Sequence, residues 1–505
     1  MRWEAINPHR SASRRAPLFA VLLIFAFGAA IRLLALEHNP PGLWQDEAST
    51  GADALALLHT GKDRAGAAWP VIAKSFGDYP LAGYRYLLMP VIAIFGLSVK
   101  THRMVAAISG TLLLLVTAGF ARRRFGDRVA LFVLASGALT PTWIHYSRYG
   151  SEAILLPTCL TLALYFTERA EREEKPAWLF ASATAFSAAL YTYHAVKLIL
   201  PPFGLALLWM YWPTLRRFYR ERRRSVWGPL LLIALLAIPA ARAALSPEGM
   251  ARGNMLGVWN ERGGRDALGL LWKNYNSYFE WRYLFMHGSN YAALNFPRLG
   301  TYVLVDAPFL LVGMFTVLRR LRQERAFPFL MLWFILGPIP GAFGGDQHNC
   351  GRAIAWLPML PLFAALGFSE LWTLVEGRRR LIRTLAGTTV AAFYLATAWV
   401  TWDRVMIKYP QLSETAWQFE ISRALQVARA QAGNPKIVVS PSFYLVDAFC
   451  RFHLDGRQWV LEPRDLVRPG EVYAANASDP PPTGKVIAEI KDHYGTVRAR
   501  VFGPK

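Results

Sequence analysis

Asp46 and Glu47 stand side by side in Asn39-Pro-Pro-Gly-Leu-Trp-Gln-Asp-Glu-Ala48, just after the first long apolar run. Adjacent carboxylates at a membrane surface are costly to desolvate, so they point to a task that needs them. Asp46 is suited to take a proton from an attacking hydroxyl. The competing reading is a capping pair for a helix that starts at Ala48. Glu47 could instead hold the acceptor, or offer its oxygens to a divalent metal. No full set of metal ligands is evident around it. The preceding Pro-Pro-Gly stops one helix and opens an ordered loop.

Cations near these carboxylates could meet an anionic group. Arg352 fits, because it begins an apolar run just after His348 and a guanidinium grips phosphate with two parallel hydrogen bonds. The alternative is an arginine reaching toward lipid headgroups. Lys197 and His194 are second candidates, and Arg148 and Arg298 further ones. Glu152, beyond Arg148, either orients an acceptor or forms an ion pair with that arginine.

These residues need a membrane scaffold. The chain has 505 residues, of which 54% are hydrophobic, and a mean hydropathy of +0.23. That suits a polytopic membrane protein. The first run, 17–36, has no small-residue cleavage site after it and reads as a retained helix. The net charge of +22 does not indicate nucleic acid, because the basic residues crowd short loops between apolar runs. Six segments (1–15, 122–128, 169–175, 216–224, 319–325 and 378–383) hold 25 of the 56 lysines and arginines. The positive-inside rule puts all six in the cytoplasm.

About eleven spanning helices are expected, near 17–36, 103–121, 129–146, 153–168, 177–194, 196–212, 227–245, 300–318, 327–343, 353–373 and 384–402. Pro80–Leu97 would put every later basic segment on the wrong side if it crossed. It is therefore expected to lie along the interface or re-enter, inside a large first outer loop, 37–102. A second outer loop, 246–299, carries Trp259, Trp272, Tyr275, Tyr278, Phe279, Trp281 and Tyr283. It is either an interfacial aromatic belt or a lid. Cys159, Cys350 and Cys450 show no metal-ligand spacing, and Cys350 and Cys450 are expected as free thiols over a disulfide. Residues 403–505 lose the membrane signal. They read as a small extracytoplasmic α/β domain with a helix at 414–432, another at Ser442–His453, and short strands near 436–439, 458–461, 471–475, 485–491 and 497–502.

The Trp-x-Asp-Glu-Ala of the first outer loop resembles the start of the GT-C superfamily of membrane glycosyltransferases. The closer resemblance is to its family 39-like branch, which includes protein O-mannosyltransferases and lipid A aminoarabinose transferases. Ser75-Phe-Gly-Asp-Tyr79, His145-Tyr-Ser-Arg-Tyr-Gly-Ser-Glu152, Tyr191-Thr-Tyr-His-Ala-Val-Lys197 and Gly337-Pro-Ile-Pro-Gly341 with Asp346-Gln-His-Asn-Cys-Gly-Arg352 are similar to further family segments, in the family's order. The resemblance covers roughly residues 15–405. It implies an all-α polytopic fold and a donor sugar on a polyprenyl phosphate held in the bilayer. It also implies a first-loop carboxylate that acts on an acceptor, whether glycolipid, polysaccharide or protein. Asp78 with Tyr79 would then shape the sugar site or serve only a turn. The chain departs from the family at one point: Pro80-Leu-Ala stands where many members have Lys-Pro-Pro, whose lysine contacts the donor phosphate, and Arg85 is the nearby substitute. Two other classes compete: a transporter or flippase for a lipid-linked solute, and a non-catalytic assembly factor.

Overall fold

The computed structural model describes residues 18–256, 265–289, 291–344 and 347–505. The basic segment 1–15, Trp259 and Asp346 lie outside the described residues. Helices α1 (Leu18–Leu33), α2 (Gln45–Thr60), α3 (Gly83–Phe95), α4 (Val99–Phe125), α5 (Asp127–Leu139), α6 (Pro141–Arg148) and α7 (Leu155–Glu173) build the first part of the bundle.

Each of the eleven expected runs overlaps a helix. Among the described residues, five helices are long and apolar enough to cross a membrane: Val99–Phe125, Arg224–Leu245, Ala326–Phe343, Ile354–Glu376 and Arg380–Leu412. Two bent pairs raise the number to seven, α5 with α6 at 61° and Val196–Met210 with Trp212–Glu221 at 67°. The first bend falls at Thr140-Pro141, where proline forces the preceding residue out of the helical region; Thr140 has φ −62° and ψ 116°.

Helix α3 has 13 residues, about 20 Å, too short to cross hydrocarbon. It buries Tyr84, Arg85, Leu88 and Ile92 and exposes Leu87, Ile94 and Phe95. Both of its faces are mainly apolar. Helices Ala307–Arg320 and Met359–Glu376 approach closely at glycines. A Cβ on Gly313 would lie 1.8 Å from the Phe363 carbonyl oxygen, and one on Gly367 would lie 2.4 Å from the Gly313 nitrogen. Small residues let membrane helices pack backbone to backbone in this way.

Ion pairs gather the basic segments at one end of the bundle. Arg124 meets Glu168 and Glu171, at 3.5 and 3.2 Å, and Glu324. Arg128 meets Glu376, next to 378–383, and Arg217 meets Glu174 at 2.9 Å. Segments 122–128, 169–175, 216–224, 319–325 and 378–383 thus share one end, as alternating spans require.

The chain ends in a five-stranded sheet of order β2-β1-β3-β5-β4. Its strands are β1 (Lys436–Val439), β2 (Trp459–Leu461), β3 (Glu471–Asn476), β4 (Lys485–Lys491) and β5 (Val497–Gly503). Strand β1 runs parallel to β2 and β3, while β5 is antiparallel to β3 and β4. In β1, Ile437, Val438 and Val439 are all buried, as befits a strand covered on both faces. Helices Phe419–Arg429 and Val446–His453 pack through Phe419, Leu425 and Phe449 onto Ile437 and Val439. Phe452 of the second helix reaches α2: a Cβ on Gly51 would lie 2.4 Å from its ring.

Candidate active site

Helix α2 starts at Gln45, three residues earlier than expected, so Asp46 and Glu47 both fall in its first turn. Negative charge is favoured there by the helix dipole. Neighbours on a helix point about 100° apart, and the two carboxylates diverge: Asp46 is exposed and Glu47 is fully buried.

Glu47 is held by four hydrogen bonds from three residues. Arg103 grips it in two-pronged fashion, Nε to Oε1 and Nη2 to Oε2, both at 2.8 Å. The Gly150 and Trp44 backbone N–H groups each donate to it at 2.9 Å. Burial alone would raise this carboxyl; the Arg103 guanidinium and the N–H donors bring it below its ordinary value. Arg103 also donates to the carbonyls of Leu36, Pro40 and Gly42, and the Trp417 ring lies 5.5 Å from its guanidinium carbon. The Glu47–Arg103 pair therefore locks together the first-loop entrance, α4 and the turn after α6. It holds the first turn of α2, which carries Asp46, in place.

Arg148 is also buried and serves backbone. It donates to the carbonyls of Ile31, Leu34 and Asn39 at 2.6, 2.8 and 2.8 Å, closing the end of α1. It does not pair with Glu152. Arg85 is buried on Asp53 at 3.0 Å, and Arg64 shares that carboxylate at 2.8 Å.

The acidic residues surround Tyr149. Burial first, then the carboxylates of Asp46, Glu47 and Glu152, push its phenol well above its ordinary range. Tyr149 and Tyr146 have ring centroids 6.0 Å apart. The Tyr146 hydroxyl sits 2.5 Å from where a Cβ on Gly351 would lie, directly beside Arg352. The Arg352 guanidinium lies against Gly344 and within electrostatic reach of Tyr278. His348 stacks on Tyr283 at 4.9 Å and faces the Ser277 carbonyl at 3.2 Å and Glu280 at 3.3 Å. Tyr193, next to His194, is in electrostatic contact with both Tyr146 and Tyr278. Lys197 is exposed and donates to the Gly249 carbonyl. Asp46 and Glu152 near Tyr149, and His348 and Arg352 near Tyr283 and Tyr278, thus flank a shared tyrosine cluster.

Asp78 lies on the segment between α2 and α3. It closes a tight turn with Ser75, through backbone bonds of 2.8 Å in both directions, and accepts from the Tyr79 N–H at 2.8 Å. Its central residues Phe76 and Gly77 have φ 51° and 84°, the backbone such a hairpin turn needs. Helix α3 carries this turn to the His194 loop, with the Gly83 N–H bonded to the Tyr191 carbonyl at 3.0 Å.

The second outer loop is split. Tyr278 and Tyr283 pack inward, while Trp272 and Trp281 are 68% and 53% exposed. Cys159, Cys350 and Cys450 are free thiols. Among the described residues no group of three or more His, Cys, Asp or Glu side chains is placed to hold a metal. Sequence reasoning missed Arg103, Tyr149 and Trp417. Arg103 did carry a signal: a basic residue at the end of a span opposite to the basic segments.

Residues 80–241 match the family described as dolichyl-phosphate-mannose-protein mannosyltransferase. No curated protein matches the sequence. The fold is similar to that of Cupriavidus metallidurans ArnT in the apo state, with a TM-score of 0.58 at 14% identity, covering 96% of this chain and 98% of that one. The same protein bound to undecaprenyl phosphate gives 0.55 at 15% identity, with the same coverage of 96% and 98%. The apo Archaeoglobus fulgidus oligosaccharyltransferase gives 0.51 at 13% identity, over 91% of this chain and 65% of that one. The fold is thus shared with that of ArnT along nearly the whole chain, and the family match runs from α3 to the Arg224–Leu245 helix.

Proposed function

We propose that the protein transfers a sugar from a polyprenyl-phosphate-linked donor to an acceptor at the outer face of the plasma membrane. The observation that carries this reading is the exposed Asp46, anchored by the Glu47–Arg103 pair and joined through Tyr149 and Tyr146 to Arg352. Asp46 removes the acceptor proton as its oxygen attacks the anomeric carbon. Arg352, with His348 beside it in the same loop, meets the charge that gathers on the departing lipid phosphate. Glu152 orients the acceptor. The basic end of the bundle faces the cytoplasm, so the site and the 403–505 domain face outward. The fold likeness to a protein whose structure holds undecaprenyl phosphate supports a lipid-phosphate donor. The chain's lack of a lysine at Pro80, and the commitment of Arg85 to Asp53, give Arg352 a larger share of phosphate binding.

The test uses the purified chain in nanodiscs with a panel of undecaprenyl-phosphate sugars, following release of undecaprenyl phosphate. Asp46→Asn is expected to lower turnover by about 10²–10⁴-fold with an unchanged melting temperature. Arg352→Ala is expected to raise the donor KM by roughly tenfold or more, the size of a lost charge-assisted hydrogen bond. Full turnover by the Asp46→Asn variant with the sugar that the wild type uses would sink the proposal.

A further inference from the structure

One face of α4 carries an exposed apolar stripe that leads into a basic hollow. Ile108, Leu112 and Leu115 are 52%, 38% and 45% exposed. Steps of four and three residues keep them on one face, and the same steps continue to Gly119 and Arg122. There a hollow of about 450 Å³ opens, lined by Gly119, Arg122, Arg123, Tyr165 and Arg172. Tyr165 and Arg172 share a face of α7. The lining holds three guanidinia and, among the described residues, no carboxylate.

The carboxylates stand behind the lining. Asp127 holds Arg122 Nε at 2.7 Å, Glu173 holds Arg123 at 3.1 Å, and Glu168 holds Arg172 at 2.8 Å. The first two contacts steady Arg122 and Arg123 while engaging one nitrogen of each; a guanidinium has five N–H donors. Arg123 also lies 5.5 Å from the Tyr165 ring. Gly119 keeps the floor open, since a Cβ there would meet that ring at 3.0 Å. The hollow is roughly 30 Å along α4 from Arg103, so it is separate from the catalytic region and independent of the reading given to it.

The geometry points to a binding site for an anionic phospholipid of the leaflet at the basic end of the bundle. The headgroup phosphate sits among Arg122, Arg123 and Arg172, and an acyl chain lies along Ile108, Leu112 and Leu115. Basic pockets between membrane helices take acidic headgroups by this complementarity. A soluble phosphate would use the arginines but leave the stripe uncovered, and a zwitterionic lipid would use the stripe with a weaker claim on the arginines.

The full chain in detergent is titrated with phosphatidylglycerol, phosphatidylcholine or inorganic phosphate, read by native mass spectrometry and thermal unfolding. Phosphatidylglycerol is expected to stay bound and raise the melting temperature, and the other two to do neither at equal concentration. Two variants localise the effect. The double variant Arg122→Gln with Arg123→Gln removes charge, and Gly119→Leu keeps every charge but fills the hollow. Each is expected to weaken phosphatidylglycerol binding about tenfold or more, as loss of charge-assisted bonds does. Unchanged binding in the double variant overturns the site. Equal stabilisation by inorganic phosphate or by phosphatidylcholine overturns the anionic-lipid assignment.

Discussion

Asp46 and Glu47 have the same chemistry and different fates, because one helical step turns one outward and the other into Arg103. Breaking a buried pair from one side leaves a charge uncompensated, which costs about 3–5 kcal/mol. Glu47→Gln is therefore expected to unfold well below the wild type in a thermal melt, whereas Asp46→Asn does not. The pair also gives acid sensitivity with a definite sign. The folded Glu47 carboxyl lies below its ordinary value of 4.5, so its contribution is in place above pH 4.5 and is lost as pH falls through the folded value. A melting-temperature profile from pH 7 to 3 should show this drop in the wild type and lack it in Glu47→Gln. At this scale the sequence was partly legible. An acidic pair after Pro-Pro-Gly marked the loop, but nothing local told Asp46 from Glu47. That distinction needs Arg103 and Gly150, 56 and 103 residues away. Arg148 and Arg85 looked like substrate cations for the same reason: their partners, the α1 carbonyls and Asp53, are set by the fold.

Elements were easier to read. The C-terminal strands follow from short β-branched runs between turn residues, and the helices of the bundle from apolar length. Bends were less visible, since a run such as 129–146 keeps its hydropathy across Thr140. The close approach of Ala307–Arg320 and Met359–Glu376 was hidden as well, because a glycine inside an apolar run carries no sign of its partner. Gly313→Leu should separate these helices and cost about 1–3 kcal/mol, the usual penalty of overpacking. Chemical denaturation in detergent would measure it, and a neutral result would show that the helices are free to slide.

Across the whole molecule, charge placement is the organising fact. Five of the basic segments meet through ion pairs at one end, and the exposed acid lies at the other. The positive-inside pattern made that polarity readable before any coordinate. The seat of the C-terminal unit on α2 was not readable, because it joins Gly51 to Phe452. The ring fills the space that a side chain at position 51 would need. The two positions therefore share one volume, and a change at either must be answered some 400 residues away. Gly51→Ala and Phe452→Leu, each destabilising alone, are expected to recover about 1 kcal/mol or more when combined, a coupling that a double-mutant cycle reads directly. The tail thereby keeps a hand on the tilt of α2: a shift in its footing is felt at the turn that carries Asp46.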